Sequence, residues 1–285
     1  MKSDLECLVC LLKQALNTAR IATPREALRR EVLDRVAAEI PRAELDRPPA
    51  EISTRVYEIV SEVTGNPDPY RELKARTNAQ ALEMLPRLRE RRDRAGDPLS
   101  FALHLAVAGN VIDLGIGHAF HLEKDLEAIL GTPFAKDRTA SFAAALVPGR
   151  RLLYLGDNAG EIVFDRLLVE LLLERGIDVT FAVKSAPVIN DATLEDAEAA
   201  GITELVPVVE TGSGDIGVHF GHASEAFLRA FGGAEIRLAK GHGNFETLHG
   251  TGRAAYFLLK AKCPVVAREL GVPEGAVVFD HQEGE

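Results

Sequence analysis

The sequence predicts an α/β protein in two parts: a helical domain over residues 1–148 and a doubly wound, mainly parallel sheet domain over residues 149–285. Three observations carry this. Through the first part, apolar residues recur every three or four positions, which is the helical period. After "VPGRR" (147–151), short apolar runs alternate with helical segments, as in βαβ units with helices on both sheet faces. At 285 residues the chain is long enough for one large core or two modest ones.

The elements follow in order. Helical periodicity covers 7–22, 24–40, 51–65, 70–92, 98–117 and 122–131. Pro24 stands near a helix start, where a missing N–H costs little. "GNPDPY" and "AGDP" read as breaks. In the second part, "RLLYLG" (151–156) is a strand and 161–176 a helix closed by Gly176. "DVTFAVK" (178–184) is the second strand, 191–201 a short helix, and "ELVPVVE" (204–210) the third strand. A helix over 217–233 precedes strands at 235–241 and 254–261, then a helix over 264–271 and a last strand, "GAVVFD" (275–280).

Composition narrows the function classes. Apolar residues make up 46% and charged residues 27%, an ordinary soluble balance. No apolar stretch approaches the ~20 residues that span a bilayer, and the N-terminus lacks the pattern of a signal peptide. A formal net charge of −10 argues against a sequence-independent grip on nucleic acid or anionic lipid. Three cysteines, Cys7, Cys10 and Cys263, point to a reducing cytoplasm. Cys7 and Cys10 share one helix face with no second pair to complete a zinc site, and read as core thiols; a redox or metal role is the alternative.

Polar residues collect at the carboxyl ends of the expected strands, where open α/β sheets bind ligands. The first strand ends in Asp157-Asn158, the second leads to Asn190-Asp191, the third to "TGSGDIG", the fourth to Lys240 and "GHGNFE", and the fifth runs into Lys260 and Lys262. Asp157, Asn158 and Asp191 offer hard oxygen ligands suited to magnesium, manganese, cobalt or nickel, with positions left for water and a substrate oxygen. The competing reading of Asp157-Asn158 is a turn and helix cap. Gly212, Gly214 and Gly217 have G-x-G-x-x-G spacing after a strand. The turn reads as a cradle for one phosphate or sugar, with Thr211 and Ser213 as donors; a plain turn and a nucleotide site are the alternatives. Lys240 on the rim is a point charge for a phosphate oxygen, so its loss should spare the metal. His242 is positioned to shuttle a proton near neutral pH. Asn244 and Glu246 read as caps of the next helix, while His219, His222 and His249 read as surface or helix residues. Asn110 and Asp113, one helical turn apart on an apolar helix, tie the helical half to the rim, donate to substrate, or simply pair with each other.

Four stretches, "GDNAGEIVFD", "KSAPVINDAT", "AKGHGNFETL" and "GNVIDLG", together resemble the DUF89 family of damage-control phosphatases, and "CLVC" resembles its prokaryotic subfamily I. The resemblance spans nearly the whole chain. It implies a helical domain joined to a Rossmann-like three-layer α/β/α domain, and a divalent-metal-dependent phosphatase acting on a small phosphorylated metabolite. It carries the metal ligands onto Asp157, Asn158 and Asp191, with Asp157, Asp191 and Lys240 catalytic. Substrate contacts fall on Lys240, Gly241, Gly243 and Asn244, and on Asn110 and Asp113 of the helical part; Gly212, Ser213 and Gly214 carry less weight because that turn varies. Metal-activated water or a triad carboxylate is the nucleophile. Two other classes remain open: an S-adenosylmethionine-dependent or nucleotide-binding transferase, and a non-catalytic metabolite-binding protein.

Overall fold

The computed structural model describes residues 1–111, 127–128 and 130–284, with side chains at 109–111 outside that description. Three helices open the chain: α1 (Leu5–Ala22), α2 (Glu26–Glu39) and α3 (Pro49–Thr64). Each turns an apolar stripe inward, so that Leu11, Ala15, Ala19, Val32, Val36, Val56, Ile59 and Val60 form a core of their own. Asp4 caps α1 by accepting from the Glu6 amide, and Cys7 Sγ accepts from the Asp4 amide at 3.4 Å, closing a capping box.

The next two helices, α4 (Arg71–Asp93) and α5 (Pro98–Val111), belong to the second core. Leu99, Ala102, Leu103, Leu105, Ala106, Val107 and Ala108 are all buried, which makes α5 apolar on every side and explains its place inside the protein. Packing therefore crosses residue 148: α5 lies against α7 (Glu161–Glu174) and β6 (Ala255–Lys260). The sheet also begins before that residue, with a two-residue strand, β1 (Lys136–Asp137), followed by α6 (Thr139–Ala145).

The remaining elements are β2 (Arg151–Leu155), β3 (Asp178–Val183), α8 (Leu194–Ala199), β4 (Val208–Glu210), α9 (Glu225–Gly233), β5 (Ile236–Lys240), α10 (Gly241–Leu248), α11 (Pro264–Leu270) and β7 (Val277–Gln282). The seven strands run in the order β1-β7-β6-β5-β2-β3-β4, parallel at every pairing except β6 with β7. Strand alternation sorts the side chains into two layers. Leu152, Tyr154, Phe181, Leu238 and Leu258 pack toward α4, α5 and α7. Leu153, Leu155, Ala239, Phe257 and Leu259 pack toward α9, α10 and α11. Both faces are covered, which accounts for strands that read as unbroken apolar runs. The result is the expected mixed α/β architecture with a mainly parallel sheet.

The reversal of β7 has a simple cause. Seven residues of α11 span only about 10 Å, whereas β6 is roughly twice as long. The short connection instead delivers β7 beside the end of β6, with Val277 opposite Lys260. The expected helix over 217–233 is also shorter than its periodicity predicts. Residues 211–224 form a loop, and the helix starts only after Ser224, whose hydroxyl accepts from the Phe227 amide.

From β2 the chain builds outward through β3 and β4, then jumps back to β5 and builds the other way. The reversal leaves a crevice between the carboxyl ends of β2 and β5. Asp157 and Gly241 face each other there.

Candidate active site

The loop after β2 is stitched to the loop after β3. Ala192 N–H donates to the Asp157 carbonyl at 2.8 Å and Ala159 N–H to the Asn190 carbonyl at 2.9 Å, while Asn158 and Asp191 pair as an isolated antiparallel bridge. Ile189, just upstream, holds a φ of +47°. That value is strained for a β-branched residue, and the strain is stored where the loop turns to present Asp191. These backbone bonds bring Asp157, Asn158 and Asp191 to one place, as the sequence predicts. All three line a cavity of about 590 Å³ together with His242, Gly243, Glu246 and Lys262, and with Cys7, Cys10 and Cys263.

A fourth acid joins them. Glu161, the first residue of α7, is completely buried, and the Asn158 amide nitrogen donates to both Asp157 Oδ2 (2.8 Å) and Glu161 Oε2 (3.0 Å). This turns the amide oxygen of Asn158 away from the two carboxylates. Gly160 makes the approach possible with a φ of +79°, and its N–H is held by Asn78 Oδ1 of α4 at 2.5 Å. Asn78 is in turn fixed by Asp196, which also takes the Lys74 ammonium at 3.1 Å. The helical half thus braces the site through Asn78 and Lys74, two residues whose polar character on α4 was the only sequence signal. Asn110 lies in the last turn of α5, but its side chain and all of Asp113 fall outside the described residues.

The electrostatics favour a cation. Burial, and then the charges of Glu161 and Asp191, push the Asp157 carboxyl well above its ordinary range. Burial lifts Asp191 to about 6, although the Lys184 ammonium 3.8 Å away pulls the other way. Oxygen donors that repel one another in a partly open crevice fit a hard divalent ion, which would relieve that repulsion. Asp157 and Asp191 bring carboxylate oxygens to that crevice, whereas Asn158 presents its amide nitrogen to Asp157 and Glu161. Gly241 shows how tightly the crevice is built. Its φ is +76°, and a β-carbon there would collide with the Asp157 carboxylate.

Several expected ligands of the substrate lie elsewhere. Lys240 is fully buried beneath the rim, and its ammonium donates to the Ala106 carbonyl (2.8 Å), Glu161 Oε1 (2.5 Å) and Asp165 Oδ1 (2.7 Å). Burial opposes its charge, but Asp165 and Glu161 hold it protonated beyond the ordinary lysine range. Asp165 itself is lifted to about 7 by burial despite Lys240, and accepts from the Tyr154 hydroxyl at 2.7 Å. Lys240 therefore organises Glu161 from below and does not reach into the cavity. Asn244 is inside α10, not at its start, and its amide donates to the carbonyls of Gly156 (3.2 Å) and Lys240 (2.8 Å), fastening the ends of β2 and β5. Gly243 does line the cavity.

The turn at 212–217 opens no helix. Ser213 and Gly214 line a second cavity of about 390 Å³, and the Gly212 N–H is taken by Ser185 Oγ at 2.7 Å. The Gly212 N–H is thus committed within the protein, and the two hydroxyls expected as donors are also engaged, Thr211 Oγ1 donating to the Ser213 carbonyl and Ser213 Oγ to Asp215 Oδ2. His242 Nε2 sits 2.8 Å from the Lys260 carbonyl, and burial drops its pKa to about 4, so it is neutral at pH 7 and not poised to shuttle protons. Of the thiols, Cys7 is buried but Cys10 is exposed at the cavity mouth.

Glu246 gives a pH signature. Burial raises its carboxyl from 4.5 to about 7, opposed by the Ala50 amide and the N-terminal amine. A folded value above the unfolded one means stability that is complete below pH ~4.5 and lost as pH rises through about 7, up to about 3 kcal/mol. Glu246→Gln should lack this loss. Urea melts of both proteins at pH 5 and pH 8 check it, and an unchanged gap between them would refute it.

Comparison with known proteins agrees with this architecture. A model of the damage-control phosphatase ARMT1-like domain matches residues 3–278. The chain is 35% identical to a damage-control phosphatase of Pyrococcus horikoshii, across 98% of this chain and 97% of that protein. It is 33% identical to a damage-control phosphatase of Archaeoglobus fulgidus, across 98% of each. An uncharacterized protein of Methanocaldococcus jannaschii is 36% identical, across 95% of this chain and 92% of its own length. The crystal structure of a DUF89 family protein from Pyrococcus horikoshii superposes with a TM-score of 0.88 at 35% identity, covering 98% of both chains. A family model spanning nearly all 285 residues, relatives matched end to end, and a shared fold place this chain in the damage-control phosphatase ARMT1-like family, DUF89.

Proposed function

We propose that the protein is a divalent-metal-dependent phosphomonoesterase acting on small phosphorylated metabolites, with Asp157, Asn158 and Asp191 as metal ligands. The observation that carries this is the convergence of Asp191, buried, with Asp157 and Asn158, partly exposed, on the wall of the 590 Å³ cavity. That volume suits a metabolite and not a polymer. The relatives named damage-control phosphatases support the reaction class.

A bound divalent ion, drawn from magnesium, manganese, cobalt or nickel, would polarise the phosphoryl oxygen and acidify a water molecule. The chain supplies the rest. Asp157 and Asp191 are held in register by the loop-to-loop bonds, so little reorganisation remains at the moment of reaction. Asn158 bridges Asp157 and Glu161 by donating to both. Lys262 lines the cavity and its charge acts on Asp157, which supports it as the cation that would meet a phosphate oxygen. The role expected of Lys240 thus passes to Lys262. The free thiols and the absence, among the described residues, of a helix long and apolar enough to cross a membrane are compatible with a cytoplasmic setting.

Hydrolysis of p-nitrophenyl phosphate, assayed with each of the four metals and after chelation, tests the reading. Activity should require metal and vanish with chelator; no hydrolysis under any metal would sink it. Lys262→Ala should raise KM about tenfold to a hundredfold, the worth of one charge-assisted hydrogen bond, without weakening metal binding. Lost metal affinity, or an unchanged KM, would remove Lys262 from the substrate site.

A further inference from the structure

The loop between β4 and α9 brings together a second set of metal-type donors. One donor atom each from Asp215, His219 and His222 lies within 4.8 Å of the other two. His222 Nδ1 is 2.8 Å from Asp215 Oδ2, and the two imidazoles stack with centroids 4.1 Å apart. Ser213 Oγ also donates to Asp215 Oδ2, at 2.7 Å, which fixes the carboxylate. His219 Nδ1 is buried and has no hydrogen-bond partner among the described residues. Its other nitrogen, Nε2, faces Glu51 Oε1 of α3 at 3.6 Å. A carboxylate on the far side of an imidazole from an unpartnered nitrogen is the layout found around metal-ligating histidines.

We propose that Asp215, His219 and His222 form a second metal site, distinct from the oxygen cluster and selective for a borderline ion of the zinc, nickel or copper class. Two imidazoles and one carboxylate suit these ions, whereas Asp157, Asn158 and Asp191 offer oxygen alone as ligand atoms. Asp215 and His222 line the 390 Å³ cavity, which provides the route in and room for water in the remaining positions. The site has a structural consequence. The same loop is pinned to α3 by the Ile216 N–H on Thr54 Oγ1 at 3.2 Å, and the Lys184 ammonium donates to the Gly217 carbonyl. Ile216 forms part of the wall of the larger cavity. An ion held by residues 215, 219 and 222 would fasten that wall beside α3.

The test is zinc binding to the untagged full-length protein with magnesium in excess, followed by calorimetry and by X-ray absorption at the zinc edge. The wild type should take up one zinc equivalent whose shell is nitrogen and oxygen at about 2.0–2.1 Å, not sulfur at about 2.3 Å. His222→Gln, at an exposed position, should weaken that equivalent more than a hundredfold, and His219→Gln should do the same. Asp157→Asn should leave it in place. Unchanged affinity in both histidine variants, a shell made of sulfur, or loss of the equivalent in Asp157→Asn would each overturn the assignment. If His219→Gln shifts the metal-free melting temperature, the exposed His222→Gln alone decides.

Discussion

Asp157→Asn and Asp191→Ala are each expected to abolish divalent-metal retention and to lower phosphatase activity by at least about a thousandfold, and Asp157→Asn should also raise the melting temperature of the metal-free protein. The two effects have one origin. Asp157 is forced far above its ordinary pKa by burial and by Glu161 and Asp191. Neutralising it removes repulsion that the metal-free fold must bear, and removes the charge that draws the ion. The activity loss is set by the scale of electrostatic preorganisation, where a single donor carries about a hundredfold to a thousandfold and a metal ligand should exceed it. Melting curves with and without manganese, beside turnover of p-nitrophenyl phosphate, read both quantities. Metal-stimulated activity in either variant would refute the assigned ligands, and a lower metal-free melting temperature for Asp157→Asn would refute the repulsion.

Lys240→Met is expected to destabilise the fold by about 3–5 kcal/mol, the cost of leaving buried carboxylates without their counter-charge. Glu161 and Asp165 both lie against Lys240 at zero exposure. Metal affinity should fall as well, because Glu161 shares the Asn158 amide with Asp157. The triple change Lys240→Met, Glu161→Gln, Asp165→Leu should recover most of the stability but not the metal, since a satisfied apolar cluster can replace a buried ionic one. Urea titrations of the single and triple variants decide the point. A Lys240→Met protein of normal stability and normal metal affinity, with only a raised KM, would restore the substrate role expected from the rim position.

The contrast between Asp157 and Lys240 shows what the sequence could reveal. Strand tips are legible because an apolar run ending in polar residues marks the carboxyl end of a strand, and tips of a parallel sheet share one rim. That reasoning located Asp157, Asn158 and Asp191 and the mainly parallel sheet. It could not say which way a side chain at a tip points. Lys240 ends β5, yet its stem passes down between α5 and α7, because only there do Glu161 and Asp165 wait in a dry interior. The same blindness hid Glu161, which looks like an ordinary first-turn helix acid, and Asn78, whose partner is 82 residues away. Helical period misled at 217–224, where His219 and His222 lie in a loop that brings them to Asp215; periodicity reports apolar spacing and cannot register a short polar cluster.

The sheet tapers at both margins. Its outermost members, Lys136–Asp137 and Val208–Glu210, are two and three residues long, while the six-residue strands are enclosed. A foreign chain seeking to extend the ladder would find at most three residues of template, with charged side chains among them, too little for lasting cross-chain pairing. Concentrated solutions should therefore resist fibrillar growth through the sheet, leaving surface contacts between helices and loops as the means of association.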